Sequence, residues 1–109
     1  MFARIVSTHL KPNTLNDFTQ TFEKDVIPML RKQPGFRDEI ALAGDGGTDV
    51  TAISLWDTKE QADGYATTAY PAVLTTLEDF LDGPPNVRVI NVINSTAHKL
   101  YSAAGVVAA

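Results

Sequence analysis

The chain has 109 residues, 44% of them hydrophobic, which suits one domain with a core of its own. Nine Lys and Arg face 13 Asp and Glu, a net charge of −4, and no basic run offers the clustered cations that a nucleic-acid backbone requires. The absence of cysteine excludes disulfides, thiolate metal sites and cysteine nucleophiles.

No stretch approaches the roughly 18 consecutive apolar residues of a membrane helix. The opening "MFARIVSTHL" lacks the apolar segment of a signal peptide. These features predict a cytoplasmic chain with neither membrane nor nucleic acid as partner. Phe2 to Leu10 then reads as a strand, with Phe2, Arg4 and Val6 on one face and Ile5, Ser7 and His9 on the other. "KPNT" turns the chain, and Asn13 or Thr14 is placed to cap a helix. Leu15, Phe18, Phe22, Val26 and Met29 or Leu30 recur at three- and four-residue steps, which predicts a helix from Leu15 to about Lys32. Pro28 lacks an N–H and crowds the carbonyl of Lys24, so a kink or a tightened last turn is expected there. "QPGF" stops the helix at Pro34 and Gly35.

Phe36 to Leu42 alternates as a strand, with Phe36, Asp38, Ile40 and Leu42 opposed to Arg37, Glu39 and Ala41. Arg37, Asp38 and Glu39 read as a solvated strand edge. "AGDGGTD" is a hairpin loop; a strand follows it, so its glycines are not a nucleotide loop. Val50 to Trp56 is the third strand, with Val50, Ala52, Ser54 and Trp56 on one face. Thr58 to Gln61 has capping-box spacing, with Asp57 as the alternative cap. Tyr70-Pro71 divides the helical region that follows, and Val73, Leu74, Leu77, Phe80 and Leu81 form the stripe of its second part. "DGPPN" ends it, Val87 to Ile93 is the fourth strand, and residues 96–109 form a weakly patterned tail that is extended, swapped onto a partner or disordered.

Strand, helix, strand, strand, helix, strand is the split βαβ, ferredoxin-like plan of the α+β class. It has a four-stranded antiparallel sheet with its helices on one face. The fourth strand is apolar on both faces, with Val87, Val89 and Ile93 opposed to Ile90 and Val92. A second copy of the sheet would cover the free face, which predicts a homodimer.

"QPGF" after a proline-bearing helix, then a hairpin whose second strand runs into "SLWDTKEQADGY", resembles the antibiotic biosynthesis monooxygenase superfamily over roughly residues 1–95. The resemblance implies a dimeric α+β barrel with a pocket between sheet and helices in each subunit. Some members oxygenate polycyclic phenols or quinols with dioxygen and no cofactor; others degrade haem; others have no assigned activity. The haem-degrading pattern has no match here: Ser7, Thr8 and His9 stand in the first strand, Tyr65 and Thr75 at the helical positions. Haem degradation thereby loses most of its support. The phenol oxygenases carry polar residues where this chain has Ala52 and Ala62, while Trp56 is retained.

Within that frame His9, Tyr65 and Tyr70 are the catalytic candidates. His9 would be a base for a phenol proton, and the tyrosines would be hydrogen-bond partners of a substrate oxygen. Trp56, Arg4 and Phe22 are the pocket candidates. The indole of Trp56 would serve as both core and pocket wall with its N–H as a donor, and Arg4 would neutralise an anionic substrate oxygen. Ordinary packing is the competing account for each aromatic residue, and a surface position for His9. No metal site is legible in two distant histidines, and no cofactor is expected. Two functions follow: a cofactor-independent monooxygenase for a small aromatic phenol or quinol, or a non-enzymatic ligand-binding or assembly module on the same dimeric barrel.

Overall fold

A computed structural model describes residues 1–102 and 105–106. Four strands, β1 (Phe2–His9), β2 (Phe36–Ala43), β3 (Asp49–Trp56) and β4 (Asn86–Asn91), form an antiparallel sheet in the order β2-β3-β1-β4. This is the ferredoxin-like α+β arrangement. The first helical arm joins α1 (Leu15–Thr21), a π-helical turn over Phe22–Val26 and α2 (Ile27–Arg31); the second joins α3 (Lys59–Thr68) and α4 (Tyr70–Leu77). Both arms pack on one face of the sheet, called inner below. None of the described helices is long and apolar enough to cross a membrane.

Pro28 loosens the helix instead of tightening it. The amide of Ile27 bonds to the carbonyl of Phe22, five residues back, and Pro28 then sits in the first turn of α2 where its missing N–H costs little. The wide turn also serves the core. Phe18, Phe22, Val26 and Leu30 are all buried. Four-residue steps on a regular α-helix would rotate roughly 40° each away from the sheet, and a π-turn absorbs that drift. The predicted caps differ in one arm only. Thr58 accepts the amide of Gln61, as expected, but neither Asn13 nor Thr14 caps α1. Thr14 donates instead to the carbonyl of Lys11, and Asn13 takes a left-handed φ of 64° in the turn.

The second departure is a bulge in β2. Phe36 lies opposite Trp56 and Asp38 opposite Leu55, so Arg37 is the extra residue. Phe36 therefore faces inward with Glu39, Ala41 and Ala43, while Asp38, Ile40 and Leu42 face outward. Arg37, pushed out of the ladder, forms a bidentate pair with Asp57 at 2.6 and 2.7 Å, and this fork holds the Asp57 carboxyl below its usual range. β4 ends at Asn91, leaving Ile93 beyond it and exposed. In the tail, Ser95 accepts the amides of Ala97 and His98, His98 pairs with Asp38, and Leu100 is buried. Tyr101–Ser102 pairs with Gly105–Val106. The remainder of the predicted tail, residues 103–104 and 107–109, lies outside the described residues.

Candidate functional site

One cross-strand row organises the inner face. Arg4 of β1 lies opposite Ser54 of β3, and Ser54 lies opposite Glu39 of β2. Same-row residues on an antiparallel sheet point to one side, so all three face the helices. Above them lies a predominantly apolar cavity of about 60 Å³. Arg4, Glu39, Phe22, Tyr65 and Tyr70 are among the side chains that line it.

Arg4 is only 4% exposed, yet it makes no ion pair among the described residues. Its guanidinium lies over two aromatic faces, 4.1 Å from the ring centre of Tyr70 and 5.5 Å from that of Tyr65. Those ring faces offset part of the cost of burying the charge. Its Nε has no hydrogen-bond partner among the described residues. The break between α3 and α4 brings the tyrosines together: α3 ends at Thr68, the chain bends through Ala69, and the two rings meet at 5.9 Å. Burial pushes the Tyr65 hydroxyl up to about 12 and raises that of Tyr70, with Arg4 opposing the shift in both. At neutral pH both are therefore phenol donors and neither is a base. The Tyr70 hydroxyl is also buried with no partner among the described residues.

Glu39 was read from sequence as part of a solvated edge. The bulge at Arg37 turns it inward, where its Oε2 is buried without a described partner and desolvation raises its carboxyl to about 7. Glu39 also lines a groove of about 360 Å³ that runs between α1, the π-turn and the inner side of β2. Phe18, Phe22 and Val50 are shared by the same two spaces, so they and Glu39 form the wall between cavity and groove.

Two sequence candidates fall elsewhere. Trp56 is fully buried, donates its indole N–H to Ser54 Oγ at 2.8 Å, and stacks on Tyr65 at 4.9 Å. Tyr65 lines the cavity and Trp56 lies behind it, so the indole is core and its donor is already used. His9 is on the outer face, five residues from Arg4 and therefore of opposite parity on the strand. There it pairs with Asp49 at 2.7 Å, half-exposed. The cavity thus gathers Arg4, Phe22, Tyr65 and Tyr70 and excludes Trp56 and His9.

No protein-family model and no curated protein sequence matches the chain. Solved structures do. A Streptomyces coelicolor monooxygenase from the gene ActVA-Orf6, solved with nanaomycin D, superposes at a TM-score of 0.73 with 20% identity, over 86% of this chain and 88% of that one. SnoaB, a cofactor-independent oxygenase from Streptomyces nogalater, gives 0.71 with 14% identity, over 89% and 97%. A further antibiotic biosynthesis monooxygenase gives 0.70 with 11% identity, over 86% and 100%.

The fold is that of the antibiotic biosynthesis monooxygenases.

On this antibiotic biosynthesis monooxygenase fold, Glu39 is the residue that reading the sequence missed. Strict alternation through "FRDEIAL" places Glu39 on the face opposite to Phe36, and the bulge at Arg37 brings the two onto one face.

Proposed function

We propose that the chain is a cofactor-independent monooxygenase acting on a small phenol or quinol-like compound. The observation that carries this reading is Arg4, a buried guanidinium held by two tyrosine rings, with no anionic partner among the described residues, on the wall of an apolar cavity. A phenolate oxygen is the complement of such a site: flat, apolar around its ring and negative at one point. A guanidinium always bears its charge, so it favours the ionised form of a bound phenol. Tyr70, whose hydroxyl has no partner among the described residues, supplies a second donor to the same oxygen.

The chemistry balances with dioxygen alone. A phenol bound at Arg4 loses its proton, and the phenolate is electron-rich at the ring carbon opposite its oxygen. That carbon forms a bond to dioxygen; the hydroperoxide then loses water as its O–O bond breaks, one oxygen staying as the new quinone carbonyl. The sum is phenol plus dioxygen giving quinone plus water, with the ring oxidised and both oxygen atoms reduced. That SnoaB is a cofactor-independent oxygenase and the Streptomyces coelicolor monooxygenase was solved with nanaomycin D supports this choice of reaction. The cavity of about 60 Å³ is less than half the roughly 150 Å³ that accommodates benzene in an engineered protein core, so the aromatic wall has to move when a ring enters.

Oxygen consumption in the presence of a panel of phenols and quinols, with anaerobic controls, tests the reading. Substrate-dependent uptake with one water formed per quinone supports it. Saturable binding without uptake identifies a ligand-binding module instead. We also propose that two copies pair through the outer face, where Ile40, Leu42 and Ile90 are exposed at 56%, 51% and 40%. Light scattering should then give twice the 11.8 kDa chain mass, and a monomer at micromolar concentration would refute the pairing.

A further inference from the structure

We propose that Glu39 is the proton acceptor of the site, taking the hydroxyl proton of the phenol whose oxygen Arg4 receives. The inference rests on the monooxygenase reading for its substrate and on the sheet register for its geometry.

Arg4 and Glu39 stand two strands apart in one row, with Ser54 between them. Their backbones are therefore roughly 10 Å apart, too far for the residues to be cross-strand neighbours and near enough for both side chains to reach one small group. They form no ion pair. Instead each leaves a buried polar atom without a described partner, Nε on Arg4 and Oε2 on Glu39. Buried polar atoms are rarely left unmatched, and a cation and a carboxyl lining one cavity call for an occupant that accepts from one and donates to the other. A phenolic hydroxyl does both through a single oxygen.

Proton transfer between them conserves charge locally. Before transfer the site holds a guanidinium, a carboxylate and a neutral phenol; afterwards it holds a guanidinium, a carboxylic acid and a phenolate. The O–H bond of the phenol breaks, the O–H bond of Glu39 forms, and the new negative charge appears beside Arg4. Glu39 also faces the groove beyond the Phe18 and Phe22 wall, so the proton has a route to water that does not cross the substrate. The charged and titratable side chains that share a space with Glu39 are Arg4 from β1, Tyr65 from α3 and Tyr70 from α4 at the cavity, and Glu23 from the π-turn at the groove. Both tyrosines stay protonated across neutral pH, and a guanidinium group keeps its charge. Desolvation places the Glu39 carboxyl at about 7, in the range suited to a base working near neutrality.

The test uses 1-naphthol, whose ring carbon opposite the hydroxyl bears a hydrogen, as the probe and the intact protein, its Glu39→Gln variant and its Glu39→Asp variant. Calorimetry near pH 8 in two buffers of different ionisation heat counts protons released on binding, and absorbance reports whether the bound probe is naphthol or naphtholate. The wild type should bind naphtholate while releasing almost no proton, because Glu39 keeps it. Glu39→Gln should either bind neutral naphthol or release about one proton per site, and should slow substrate-dependent oxygen uptake by about 10²- to 10⁴-fold, the usual worth of a general base. Glu39→Asp should restore part of the rate. The wild-type rate should rise with pH through about 7, and the Gln variant should lose that rise. If Glu39→Gln matches the wild type in proton count, absorbance and pH profile, Glu39 is not the acceptor, whatever the wild type does with oxygen. If the wild type retains the proton but consumes no oxygen, the acceptor role stands and the oxygenase reading fails. If 1-naphthol does not bind, both fail.

Discussion

The two faces of the sheet treat charge in opposite ways. On the outer face His9 pairs with Asp49 and His98 with Asp38, in partly exposed positions where water already solvates each group. On the inner face Arg4 is buried and Glu39 half-buried, two strands apart in one row, and neither has an ion-pair partner among the described residues. An exposed pair contributes little because water competes for both partners, whereas a buried unpaired group carries an unmet desolvation cost that a ligand can relieve. Histidine–aspartate pairing makes the outer face look like the chemical one, but the proposed chemistry lies on the inner row, whose groups a ligand would relieve.

The sharpest way to break this contrast is Arg4→Leu. It should abolish phenolate binding and lower substrate-dependent oxygen uptake by about 10²- to 10³-fold, as loss of one preorganised electrostatic group does. Thermal stability should stay level or rise, since a buried charge with no anionic partner among the described residues is removed. If Arg4→Leu destabilised the fold and spared activity, the cation would be structural.

Trp56→Phe probes the layer behind the cavity. It strands Ser54 Oγ, which accepts the indole N–H, and should cost about 1–3 kcal/mol of stability in denaturant melts. Phenol affinity should change much less, because Tyr65 stands between the indole and the ligand. Equal losses in binding and stability would place Trp56 in the pocket wall after all.

Glu39→Gln carries a pH signature. The folded carboxyl sits at about 7, above its usual 4.5, so between those values the native state holds more protons than the unfolded chain. The stability of the wild type is therefore greatest below that window and declines as pH rises through about 7. Glutamine cannot ionise, so melting temperatures of variant and wild type should agree near pH 4 and separate in favour of the variant near pH 8. A constant gap across that range would mean that Glu39 is well solvated. The smallest effect belongs to His9→Ala, which should shift stability by no more than about 0.5 kcal/mol, in the range of exposed pairs. It should leave oxygen uptake unchanged; a large loss of uptake would move the active face to the other side of the sheet.

Local pattern determined a good deal of this protein. Period-two alternation placed Arg4 and His9 on opposite faces of β1 and put Val50, Ala52, Ser54 and Trp56 together on β3, because the pleat leaves a strand no other choice. The steps between Phe18, Phe22 and Val26 located the buried stripe, and Tyr70-Pro71 located the break in the second arm. Tertiary contacts decided the rest. Phe36 packs edge-on against Trp56 at 5.6 Å and Arg37 forks onto Asp57, and these two attachments hold the bulge that turns Glu39 inward. No local rule distinguishes that outcome from an unbroken strand, since each residue of "FRDE" is compatible with either face until its partner is in place. The same holds for Trp56, whose donor could have served a ligand until Ser54, two residues earlier on the same face, took it. It holds for Tyr65 and Tyr70 too, which share a face only because the bend at Ala69 folds both rings onto a cation brought from the other end of the chain.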